Sequence, residues 1–313
     1  MRILVVGAGA LGILFAGIIS RHGGDVAVLT RRREAAEAIR QDGVIVEDGV
    51  SAWRARPECS TDPRIASDAE ACLICVKSYD TEFVGRMISP HVRNDCLFVT
   101  VQNGLNNVER LTGIFGRERV IGGYTMQAST LTGLNRVFHA YDGETVLGGH
   151  PSTSTGIYRI RAVAEELSRL GLKTTAIEDI YPEVVTKLII NSVINPLTAL
   201  LGVRNGELLE IEVIAEVIDG LVREGVEAGS LLGVKLSLEE TRRRVHEAIV
   251  ATANNKSSML QDVERGRRTE IEFINGSLAR VLKDAGRPAP LNTLLTRLIL
   301  AVEWRGAKHG RGG

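Results

Sequence analysis

A parallel α/β domain followed by an all-α domain is the architecture that this chain of 313 residues predicts. Three observations carry it. Apolar runs of strand length (Ile3 to Val6, Val26 to Leu29, Leu73 to Val76, Leu97 to Val101) alternate with helical patterns through the first half, as in βαβ units. A glycine cluster closes the first of these strands. Beyond about Glu178, apolar residues recur only at helical spacing, with no strand-like alternation. The expected domains are therefore residues 1–178 and 179–313.

The first strand runs into Gly7-Ala8-Gly9-Ala10-Leu11-Gly12 and then into an apolar helix to about Arg21. G-x-G-x-x-G at a strand-to-helix turn marks an α/β Rossmann-type dinucleotide-binding domain. Gly7 permits the tight turn, Gly9 lets backbone approach a pyrophosphate, and Gly12 lets helix and strand pack closely. The helix N-terminus offers N–H groups and positive potential to phosphate. The same run resembles a signal peptide in outline, but its glycines and the βαβ pattern that follows argue against one. The second strand ends in Thr30-Arg31-Arg32-Arg33, where an NAD enzyme usually carries Asp or Glu for the ribose hydroxyls; Asp25 stands at the other end of that strand. Arginines there suit a 2′-phosphate, so NADP (NADPH) is the expected cofactor.

Val44 to Val46 and Ala52 to Ala55 flank Asp48-Gly49 as a hairpin. The strand Leu73 to Val76 ends at Lys77-Ser78, and Leu97 to Val101 ends at Gln102-Asn103-Gly104. In an open parallel sheet ligands bind outside the carboxyl ends of the strands, which places Lys77 and Asn103 to meet cofactor or substrate. Arg119 to Gly149 reads as several strands with glycine-rich turns, Thr155 to Leu170 as an amphipathic helix, and Lys173 to Ile177 as the strand that closes the domain.

Composition narrows the partners. Lys+Arg 38 balances Asp+Glu 38, which removes any global electrostatic case for nucleic acid or an anionic membrane and leaves small molecules. Cys59, Cys72, Cys75 and Cys96 suit a reduced, cytoplasmic chain. Cys72 and Cys75 spell C-x-x-C, but in a strand their side chains point to opposite faces. His22, His91, His139, His150, His246 and His309 are scattered without metal spacing, and no metal site is expected.

The most informative stretch is Tyr181 to Leu201, an apolar helix that nonetheless carries Lys187, Asn191 and Asn195. At about 3.6 residues per turn these three lie within one arc of roughly 80°. A buried Lys is rare unless paired or working, and Asn offers donor and acceptor together, so the stripe is suited to an oxygen-rich small molecule. A Lys at a domain seam, with both Asn bonded to backbone, is the plainer alternative. Pro196 removes the N–H that would bond the carbonyl of Ser192 and predicts a kink. Further helices are expected over Leu208 to Leu232, Leu238 to Ala251, Ile271 to Ala285 and Leu291 to Trp304. Thr269 and Glu272 form a T-x-x-E capping box for the third of these, which leaves Glu270, one turn before Ile274, either to look into a cleft or to stand as a solvated first-turn carboxylate favoured by the helix dipole. Asn255 and Ser258, three apart, are placed to share a helix face.

GAGALG, VKS, QNG, KLIINSVINPLTAL, RNGEL and SSMLQDVERGRRTEIEFINGSL together resemble ketopantoate reductase (2-dehydropantoate 2-reductase) across both domains. The resemblance implies a second domain like the C-terminal domain of 6-phosphogluconate dehydrogenase. It also implies NADPH-dependent reduction of ketopantoate to (R)-pantoate, a step toward pantothenate and coenzyme A. By it Lys187 is the general acid, Asn191, Asn195, Asn255 and Ser258 hold the substrate, and Glu270 is the carboxylate beside it. Asn103 and Asn205 fall on further substrate positions, and Lys77, Asn103 and Glu270 on the cofactor side with Gly7, Ala8, Gly9, Ala10, Leu11 and Gly12. Arg31 falls on the 2′-phosphate position, which a register slip would give to Arg32. A homodimer through the helical domain is compatible with it, while the residues themselves leave the oligomeric state open. Two rivals share parts of the pattern: another 2-oxo acid reductase or 3-hydroxy acid dehydrogenase of the same architecture, and a non-catalytic NADP sensor.

Overall fold

The computed structural model describes residues 1–309, except that the side chains of residues 307–309, His309 among them, lie outside the description. The chain divides into two compact units. The first is Met1–Gln102 with Asn106–Tyr181, and the second is Asn103–Leu105 with the chain from Pro182 onward.

The first unit opens with β1 (Ile3–Val6), α1 (Ala10–Arg21), β2 (Val26–Leu29), α2 (Arg33–Asp42), β3 (Val44–Glu47), β4 (Ala52–Ala55), β5 (Glu58–Ser60) and β6 (Ala71–Ile74). It continues through α3 (Thr81–Ile88), β7 (Leu97–Thr100), α4 (Asn107–Phe115), β8 (Val120–Thr125), β9 (Ala128–Leu131), β10 (Arg136–Tyr141), β11 (Thr145–Gly149), α5 (Ile157–Arg169) and β12 (Thr174–Asp179). Eight strands form one sheet in the order β12-β11-β8-β7-β6-β1-β2-β5, parallel except where β11 meets β8. Its central strands are buried on both faces, which is why they read as continuous apolar runs. Ile3 and Val5 join the core that holds residues of α1 and α5, whereas Leu4 and Val6 join the core that holds residues of α3 and α4.

A second sheet, β4-β3-β10-β9, includes the expected hairpin, with Val46 opposite Trp53. It packs on α1: a Cβ on Gly17 would stand 3.1 Å from Val44 Cγ2 and Val46 Cγ2. The parallel pairing of β10 with β3 joins segments far apart in sequence, which local periodicity does not encode. The strand expected to reach Val76 stops at Ile74. Cys75 still donates its N–H to Val6, but the Val76 carbonyl is taken by the Gln102 side chain at 2.7 Å rather than by a neighbouring strand. As expected of the C-x-x-C pair, Cys72 and Cys75 enter opposite cores. The nearer sulfur to Cys72 is that of Cys96, at 3.6 Å, and all four cysteines are free thiols.

The second unit is built on α6 (Tyr181–Leu201), followed by α7 (Ala215–Leu231), α8 (Leu238–Ala251), α9 (Ser258–Glu264), α10 (Asn275–Asp284) and α11 (Pro290–His309). By length and composition α6 could cross a membrane, but its most apolar window is 67% buried inside the protein. Its faces feed two cores, one through Leu188 and Ala199 and the other through Val193, Ile194 and Leu197. Two expected helix starts are corrected. The chain before Ala215 forms separate 3-10 turns at Gly206–Leu209 and Glu212–Ile214. The helix expected from Ile271 begins at Asn275, because residues 271–274 form a turn.

Candidate functional site

In the first unit the strand order reverses beside β1, whose neighbours are β2 and β6. Gly7 has φ +114°, and a Cβ there would meet Val76 at 2.8 Å. At Gly12 a Cβ would stand 1.9 Å from the Gly7 carbonyl oxygen, so only glycine lets α1 approach the turn this closely. Gly9 differs. A Cβ there meets nothing nearer than the Cys75 carbonyl oxygen at 3.8 Å, so no protein contact demands glycine. Space for a Cβ over the uncapped N-terminus of α1 fits a pyrophosphate lying against Gly9 backbone, with Ala8, Ala10 and Leu11 completing the loop.

At the carboxyl end of β2, Arg31 Nη2 donates to Asp80 Oδ2 at 2.7 Å, and Arg32 Nη2 donates to the Ala8 carbonyl at 2.5 Å. Asp25 pairs with Arg2 at the amino end. Lys77 is half-buried and precedes the 3-10 turn Ser78–Asp80. That turn is tied to the loop after β7: Gln102 Nε2 reaches Thr81 Oγ1 at 2.9 Å, Asn107 Nδ2 reaches Ser78 Oγ at 3.0 Å, and Thr81 donates to Asn107 Oδ1 at 2.9 Å. The backbone on both sides of Lys77 is thereby fixed.

In the second unit Lys187, Asn191 and Asn195 are carried by one unbroken helix. Burial draws the Lys187 ammonium down from its ordinary value to about 8, and the carboxylate of Glu270 pulls in the opposite direction. Glu270 is 7% exposed. Asn191 Nδ2 donates to Asn103 Oδ1 at 3.3 Å. Asn103 is held there by Gly104 and Leu105: the Leu105 N–H bonds the Phe273 carbonyl at 3.1 Å, and a Cβ on Gly104 (φ +86°) would stand 2.6 Å from that oxygen. The Phe273 N–H bonds the Glu270 carbonyl at 2.9 Å, so one turn links Asn103 to Glu270.

The capping box does not form. The N–H and hydroxyl of Thr269 both donate to Glu303, at 2.9 and 2.6 Å, and Glu272 accepts from Arg268 at 2.7 Å on the surface. A carboxylate 34 positions away takes the place of the local one, and residues 271–274 form a turn rather than the first turn of a helix. Nor do Asn255 and Ser258 share a helix, since α9 starts at Ser258 and Asn255 lies in the preceding loop. The cap of α9 is Ser257, which accepts from Leu260 N at 3.1 Å and is bonded by Thr198 Oγ1 at 2.7 Å. Asn205 is brought to this loop: its N–H bonds the Asn255 carbonyl at 3.0 Å and its Nδ2 the Thr252 hydroxyl at 2.9 Å, while its buried Oδ1 has no partner among the described residues.

Asn275 escaped the sequence reading. It is fully buried and donates to the carbonyl of Ser192. The signal was there in Pro196, which leaves that carbonyl needing a donor. Among the described residues no group of three or more His, Cys, Asp or Glu could hold a metal ion.

The glycine loop and the Lys187 helix lie in stretches that the comparisons with known proteins match separately. Residues 3–152 match the family described as ketopantoate reductase PanE/ApbA, and residues 179–303 match its C-terminal part. A 2-dehydropantoate 2-reductase of Halobacterium salinarum is 34% identical over 303 residues, 96% of this chain and 98% of that protein. A PanE/ApbA family ketopantoate reductase from Ralstonia eutropha JMP134 has a crystal structure that superposes with a TM-score of 0.88 at 27% identity, covering 98% of this chain and 100% of that one. The ternary structure of a D-mandelate dehydrogenase with NADH and anilino(oxo)acetate superposes with a TM-score of 0.92 over 98% of this chain and 100% of that one; at 22% identity it shares the fold alone. Since the matches span both halves of the chain, and with them the loop and the helix just described, the chain belongs to the ketopantoate reductase family.

Proposed function

We propose that this chain reduces 2-dehydropantoate to (R)-pantoate with NADPH, supplying a step toward pantothenate and coenzyme A. The observation that carries the reading is Lys187: an ammonium drawn to about 8 by burial, with Glu270 opposing the shift, on a helix that also carries Asn191 and Asn195. A general acid works best when its pKa lies near the operating pH. Below about 8 the ammonium form predominates, and Lys187 Nζ passes a proton to the ketone oxygen as charge develops there. Glu270 keeps that amine charged. Asn191, Asn195, Asn255, Ser258, Asn103 and Asn205 supply donors and acceptors for the substrate carboxylate, ketone and hydroxyl, and the unpartnered Oδ1 of Asn205 is suited to a hydroxyl. NADPH, when bound, supplies a hydride to the ketone carbon; Gly7 to Gly12, Arg31 and Lys77 are the residues that would hold it.

A homodimer through the helical unit and a cytoplasmic location belong to the same reading, and the free thiols are in keeping with the latter. Light scattering reads the former. The reaction is tested by loss of NADPH absorbance with ketopantoate beside pyruvate, 2-oxoisovalerate and phenylglyoxylate, and by NADP reduction with 3-hydroxyisobutyrate. Ketopantoate is expected to lead in kcat/KM by about tenfold or more, since a site built to bond a substrate hydroxyl rejects analogues that lack it. Faster turnover of another 2-oxo acid, or turnover of the hydroxy acid alone, would remove the assignment.

A further inference from the structure

Asp80 ends the 3-10 turn after β6 and stands at the N-cap position of α3, where an aspartate ordinarily accepts a backbone N–H of the first turn. It accepts none. Its carboxylate instead bonds Arg31 Nη2 at 2.7 Å, and the Arg31 guanidinium lies 5.0 Å over the ring of Phe83. Arg32 is drawn the other way, onto the Ala8 carbonyl. Because β2 and β6 flank β1, their carboxyl ends deliver one cation and one anion to the same place beside the glycine loop. That is the side on which a Rossmann-type site reads the 2′ position of the adenosine ribose, with a carboxylate for a hydroxyl or an arginine for a phosphate. This chain presents both chemistries at once, from the segments that follow two different strands.

We propose that Asp80 is a cofactor-discriminating residue, whose carboxylate accepts the ribose 2′-hydroxyl of NADH and competes with a 2′-phosphate for Arg31. The proposal rests on the dinucleotide reading of the glycine loop. The Arg31 and Asp80 side chains are 51% and 24% exposed, and an ion pair this open is held weakly enough to exchange partners. With NADPH, Arg31 turns from Asp80 to the phosphate while the carboxylate repels it; with NADH, the Arg31–Asp80 pair stays intact and orients the carboxylate for the hydroxyl. The chain therefore uses both cofactors, and its preference for NADPH is smaller than Arg31 alone would give.

The test is calorimetric titration of wild type, Asp80→Asn, Asp80→Ala and Arg31→Ala with NADPH and with NADH, with no substrate present. Wild type is expected to bind the two within about tenfold of each other, the span of one charge-assisted bond. Asp80→Asn and Asp80→Ala should tighten NADPH and weaken NADH, widening the ratio by about tenfold or more, and Arg31→Ala should weaken NADPH far more than NADH. Asp80 caps no N–H, and its pair with the half-exposed Arg31 is a surface one worth little to stability, so all variants should melt with wild type. An unchanged ratio in both Asp80 variants overturns the proposal. Failure of wild type to bind either dinucleotide overturns the glycine-loop reading and the proposal with it, whereas a wrong substrate assignment leaves the titrations as they stand.

Discussion

Asn275 donates its Nδ2 to the carbonyl of Ser192 at 2.8 Å, the carbonyl that Pro196 deprives of its helical N–H. The same Nδ2 lies 2.9 Å from Asn292 Oδ1. Asn292 is in turn held by Glu224, whose Oε2 accepts its backbone N–H at 2.9 Å and its Nδ2 at 2.7 Å. Ser192 lies between Asn191 and Asn195, so a side chain of α10 fixes the backbone of α6 where the proposed substrate residues emerge. Asn275→Ala leaves a buried carbonyl unsatisfied, at a cost of about 1–3 kcal/mol. Urea unfolding should show the lower midpoint, and ketopantoate turnover should fall with it. A midpoint equal to wild type would mean that the Ser192 carbonyl has another donor.

Gly9 and Gly12 separate cofactor binding from folding. Gly12→Ala places a methyl 1.9 Å from a backbone oxygen and should unfold at a clearly lower temperature. Gly9→Ala meets nothing within 3.8 Å and keeps an ordinary extended backbone (φ −78°), so it should melt like wild type yet lose NADPH binding in a titration. Undiminished NADPH affinity in Gly9→Ala would show that no phosphate lies on that backbone.

Where the physics is local, the sequence was readable. G-x-G-x-x-G encodes a turn within six residues, and the helix Tyr181–Leu201 is legible to its last residue because apolar side chains recur in every one of its turns around Lys187, Asn191 and Asn195. Thr269 misled because a local signal, T-x-x-E, competes with Glu303, which lies 34 positions away on α11. Ser257 was hidden by its neighbour: two adjacent serines look alike in sequence, and only the Thr198 bond decides which one turns inward. Asp80 carries no local signal in the sequence, because its partner Arg31 comes to it from 49 positions away.

The two serines give a matched pair of variants. Ser257→Ala removes a cap and a buried bond to Thr198, so it should lose about 1 kcal/mol of stability. Ser258 is exposed, and neither the cap nor the Thr198 bond depends on it. Ser258→Ala, like Asn255→Ala, should leave the melting temperature in place while raising KM for ketopantoate and not KM for NADPH. The reverse pattern in KM would move these residues to the cofactor.

Lys187 and Glu270 make the sharpest prediction because its sign is fixed. A general acid must carry its proton, so the wild-type rate should fall as pH rises through about 8. Glu270 raises the Lys187 pKa against the effect of burial, so Glu270→Gln should move that alkaline limb to lower pH, whereas Glu272→Ala, which breaks only a surface pair with Arg268, should leave it unmoved. Lys187→Met should lower kcat by about 10²–10⁴ and abolish the limb while NADPH still binds. Folding supplies a readout independent of turnover. An unfolded chain holds the Lys187 proton up to about 10.5 and the folded one only to about 8, so between those values the unfolded state binds more protons and wild-type stability rises with pH. Lys187→Met should flatten that rise in urea titrations taken across the window. If the variant keeps both the alkaline limb and the stability slope, another group titrates there and Lys187 is not the acid.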